Sequence, residues 1–90
     1  MTSNAAVTVT TTTMIPLLVH QSFYDWLTTK PRPEPELFFA LQASGYLGDQ
    51  VFVRRSRDYS RFDWCWFFSR RGIAKVQVVN AWKRYRGVVQ

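Results

Sequence analysis

Prolines at positions 31, 33 and 35, in "KPRPEPE", limit what this chain can form more than any other feature does. Each removes a backbone donor and clashes with the turn before it, so a helix entering this stretch has to stop. Short helices are patterned on both sides. Ser22 opens "SFYDWLTTKP", and with Asp25 three residues on it resembles a capping box in which Asp replaces the usual Glu or Gln. The pattern predicts a helix from Phe23 to about Lys30. Pro35 suits the first turn of a second helix, with Glu34 and Glu36 near its positive end. That helix is expected to run to about Leu47, closed by Gly48 in a left-handed conformation. Leu37, Phe38, Leu41 and Gly45 share one side of it, and Gly45 is expected to let a neighbouring helix approach closely.

Beyond Gly48, "DQVFVRR" is expected to be a linker to Ser56, a good cap for a third helix from Arg57 to about Arg70, before Gly72. The last segment carries two signals. "IAKVQVV" is β-branched enough for a strand, but Ala74, Val78, Ala81, Trp82 and Tyr85 form a helical stripe, which predicts a fourth helix.

A chain of 90 residues can enclose only one economical core. With 47% hydrophobic and 17% aromatic residues it is too apolar to be disordered throughout and too rich in rings to hide all of them. Residues 1–20, "MTSNAAVTVTTTTMIPLLVH", are expected to be a threonine-rich arm, flexible or strand-like, leading into a helical domain over 21–90. The arm lacks the basic start and long apolar centre of a secretory signal, so it is expected to stay attached. No stretch reaches the roughly 18 consecutive apolar residues that a membrane span needs. Cys65 is the lone cysteine and sits in an apolar run, as a buried thiol in a reducing cytoplasm would.

"SFYDWL", the proline-bearing turn, Phe52, "SRDY" and "VVNAWKRY" together resemble the YozE-type SAM-like family of small bacterial proteins. Phe23, Tyr24 and Leu27 match its first helix, Ser56, Asp58 and Tyr59 its cap, and Ala81, Trp82 and Tyr85 its closing helix. Val53 stands where the family usually has proline, and Val78 and Val79 where it has Phe-Asp. The resemblance implies an all-α fold, a small four-helix bundle like a sterile alpha motif, and it implies no activity, since fold does not determine function.

Little here points to chemistry. One histidine, His20, and one cysteine cannot assemble a metal cluster within the chain. The glycines do not form a phosphate-cradling loop, and Asp58 and Asp63 are read as a first-turn charge and a partner for arginines. No enzyme activity, cofactor, metal or small-molecule substrate is therefore expected.

Charge is more informative. The net charge is +6, and it is divided unevenly: residues 1–50 sum to −2 and residues 51–90 to +8. A polyanion or an acidic protein surface is the expected partner. Arg54, Arg55 and Arg57 are expected at a helix start, where the dipole disfavours cations, so an external anion is the simplest reason for them. Arg61, Arg71, Lys83 and Arg84 extend the candidate set, although cations at helix ends also have a structural use. "RFDWCWFFSRR" offers rings on two sides of a helix at about 100° per residue. Tyr59, Phe62, Cys65 and Trp66 gather on one side, which the resemblance implies is the core. Trp64, Phe67 and Phe68 are expected to form a partner-binding patch with Arg61 and Arg71, unless the arm or "MIPLLV" covers them or the helix is buried all round. Two functions follow: a nucleic-acid-binding module, with arginines on phosphates and rings on unpaired bases, or a protein-interaction adaptor or inhibitor with an aromatic anchor framed by arginines.

Overall fold

Five helices, and no strand, make up residues 21–89, the part of the chain described by the structure, a computed structural model. The expected arm over residues 1–20, and with it "MIPLLV", lies outside the described residues. Among the described residues no helix is long and apolar enough to cross a membrane.

Helix α1 covers Phe23–Leu27, and the Ser22 hydroxyl accepts the Asp25 amide at 3.1 Å as its cap. It stops short of Lys30. The Thr28 hydroxyl donates to the Tyr24 carbonyl at 3.0 Å, and Arg32 reaches back to the Thr28 and Thr29 carbonyls, so side chains satisfy the acceptors that a longer helix would use. Helix α2, Pro35–Ala43, begins with Pro35 in its first turn as expected. It ends before Leu47 because Gly45, at φ +85°, takes the left-handed position, while the Ser44 hydroxyl donates to the Leu41 carbonyl at 2.6 Å. Gly45 therefore terminates a helix and admits no neighbour; a Cβ there would meet nothing within 4 Å.

The expected linker is helix α3, Gln50–Ser56, whose Asp49 cap accepts the Phe52 amide at 2.9 Å. Ser56 is buried at its end, with its hydroxyl donating to the Val53 carbonyl at 3.0 Å, and so caps nothing. The expected third helix starts later for that reason. Helix α4, Arg61–Ser69, is capped by Ser60 in a full capping box: the Asp63 amide donates to the Ser60 hydroxyl at 3.2 Å, and Asp63 Oδ2 accepts the Ser60 amide at 2.9 Å. Asp63 thus serves a serine rather than an arginine. After a turn closed by Gly72, helix α5, Lys75–Val89, settles the choice between strand and helix.

Helix α4 packs along α5, which also receives α1, while α2 packs on α4. Trp64, fully buried, is the hub of the core. Its ring centroid lies 5.4 Å from that of Phe23 on α1, 6.2 Å from that of Phe52 on α3, and 5.6 Å from that of Phe68. Leu27, Leu37, Leu41, Val78 and Ala81 fill the spaces between these rings. Aromatic pairs at such separations add roughly 0.5–1.5 kcal/mol each beyond the area they bury. Trp82 and Tyr85 are half-buried and pack on Phe23 at 5.0 and 5.2 Å, so the stripe read on the last helix faces inward at Val78 and Ala81 and continues at these two rings.

Candidate functional site

Helix α4 has two aromatic faces, and the expected assignment is inverted. Trp64, Phe67 and Phe68, expected as a surface patch, are buried, whereas Phe62 is 71% and Trp66 59% exposed. Cys65 is buried, as expected, and Tyr59 is half-buried. The polar residues agree with this orientation. Asp63, Ser69 and Arg70 lie on the Phe62 and Trp66 side of the helix, and that side faces water. Arg71 lies on the core side but comes after Ser69, where the helix has ended. Its guanidinium folds back over Phe67 at 3.8 Å and donates to the Phe67 carbonyl at 2.8 Å, so its presence there did not mean exposure.

Phe62 and Trp66, one turn apart, form a ridge with a concavity on each side. The larger, about 360 Å³, is lined by Tyr59, Phe62, Asp63, Trp66 and Phe67. The smaller, about 170 Å³, lies between the ridge and Lys75, with Cys65 and Ser69 in its wall. Cations stand near both. Lys75 lines the smaller, Arg70 lies over the Trp66 ring at 4.8 Å, and Arg71 lies over Phe67, which lines the larger. Tyr46 lies 6.3 Å from Phe67 and stacks on Phe52 at 4.8 Å, and Arg55 lies 5.8 Å from the Phe52 ring.

The other expected binding residues are dispersed. Arg54 and Arg57 line a separate polar cleft of about 390 Å³ with Tyr24, Gly48, Gln50 and Val53, where Arg57 pairs with Asp25 at 3.6 Å. All three arginines of this group sit at the end of α3 rather than at a helix start, so the dipole favours them there and the earlier reason for an external anion is lost. Arg84 is engaged by Glu34 through two hydrogen bonds of 2.5 and 2.9 Å, and the hydrogen bond to this carboxylate raises its pKa further above the ordinary guanidinium value. Arg61 and Lys83 are exposed and make no ion pair among the described residues.

Sequence reasoning missed Arg70, Lys75 and Tyr46 as members of the site. Arg70 was visible as a residue four positions after Trp66, on the same helix side. Neither a family model, nor a curated protein, nor a solved structure matches the chain.

Proposed function

We propose that this protein is a non-catalytic, cytoplasmic binding module of the SAM-like, YozE-type kind, and that it holds an unpaired nucleic-acid strand across the outer face of α4. The observation that carries the reading is the exposed Phe62 and Trp66 ridge beside Arg70, Arg71 and Lys75. Exposed rings stack on bases of any sequence, and neighbouring cations hold the phosphates. The packing of Trp82 and Tyr85 on Phe23 supports the family part of the reading, since these are residues on which the resemblance rests.

A second reading, an acidic protein partner, is favoured by Arg70, because its guanidinium closes one face of Trp66 to a base and completes a Trp and Arg anchor of the kind common at protein interfaces. Gel retardation of single-stranded oligonucleotides over a range of salt separates the two. Binding that weakens steeply as salt rises supports the nucleic-acid reading. No retardation at low salt overturns it and leaves the protein partner.

A further inference from the structure

We infer that the larger groove beside the α4 ridge is a base pocket with a built-in preference for an amino-bearing base, cytosine before thymine or uracil. This rests on the nucleic-acid reading above. The groove walls are aromatic, from Tyr59, Phe62, Trp66 and Phe67, and its one charged lining group is Asp63. At about 360 Å³ it is within the size range of small-ligand clefts, and a flat base fits between such walls better than a flexible aliphatic chain does.

Asp63 gives the groove its selectivity. Its Oδ2 is held by the Ser60 amide and hydroxyl, at 2.9 and 3.0 Å, so the carboxylate is fixed in place. No hydrogen bond is made to Oδ1 among the described residues. An anchored carboxylate oxygen at the edge of an apolar slot accepts from the N4 amino group of cytosine, and it repels the O4 carbonyl that thymine and uracil carry at that position. An anionic carboxylate would ordinarily repel a nucleic acid. Here Arg70 over Trp66 and Arg71 over Phe67 stand at the groove's aromatic walls and supply the opposite charge for the strand's phosphates.

The test uses the whole protein and three unpaired oligonucleotides of equal length at neutral pH: oligo-dC, oligo-dT, and oligo-dC carrying N4,N4-dimethylcytosine, which lacks the donor. The expected result is a Kd for oligo-dC about tenfold below that for oligo-dT, with the dimethylated strand falling to the oligo-dT value. Asp63→Asn should bring the dC to dT ratio to about one. Because Asp63 also caps α4, the dimethylated strand reads the same interaction without altering the protein. Equal binding of dC and dT overturns the base pocket while leaving the strand-binding reading intact. Retained preference for the dimethylated strand also overturns it. Failure of all three strands to bind overturns the reading on which it rests.

Discussion

Tyr85 joins the last helix to the start of the first: its hydroxyl donates to the Gln21 carbonyl at 2.8 Å while its ring packs on Phe23 and Trp26. Burial pushes its pKa above the ordinary phenol value, Asp25 adds to the shift, and Arg86 opposes it. A folded pKa raised above the unfolded value, about 10, means that the unfolded chain releases the proton first. Tyr85's share of stability is therefore complete below that pH and falls away as pH rises through the folded pKa. Urea unfolding of the wild type and of Tyr85→Phe should show the wild type losing the more stability between about pH 9 and 11. Parallel losses in the two proteins would contradict this. At this scale the sequence was legible where a residue's neighbours are local, as with Ser22 capping α1. It was not legible for Glu34, read as a helix-start charge, because its partner Arg84 lies 50 positions away and only the fold brings them together.

Elements show the same division between local and distant causes. The two aromatic faces of α4 follow from periodicity, but periodicity cannot say which of two apolar faces meets the core. That was decided by α3, read as a linker, since Phe52 from this helix lies against Trp64 and Phe67 and makes their side the interior. A seven-residue helix with two β-branched valines has weak propensity, and the Asp49 cap was its one clear local sign. Trp64→Ser should consequently cost on the order of 3–5 kcal/mol and unfold or aggregate the domain. Phe62→Ser with Trp66→Ser should leave the melting temperature within a few degrees and improve solubility. Circular dichroism melts of the two variants check both statements. A stable Trp64→Ser protein would mean that α4 is turned the other way about its axis.

For the whole molecule, the excess positive charge of the second half was legible, but the residues expected to concentrate it were not. Arg84 is occupied by Glu34, Arg54 and Arg57 face a different cleft, and Arg55 and Arg71 lie over the buried rings of Phe52 and Phe67. Chain order could not show this because α3 separates Arg55 from its neighbours 54 and 57 around one helical turn. The claim at the centre of this account is that the outer face of α4 is where the partner binds. It is tested most directly by titrating a fluorescent single-stranded oligo-dC with the wild type and with Phe62→Ser, Trp66→Ser, both confirmed as folded, at low salt. The account predicts saturable binding by the wild type and at least a tenfold weaker Kd for the double variant, since loss of each stacked ring costs about 1–3 kcal/mol. A folded double variant that binds as tightly as the wild type would contradict it.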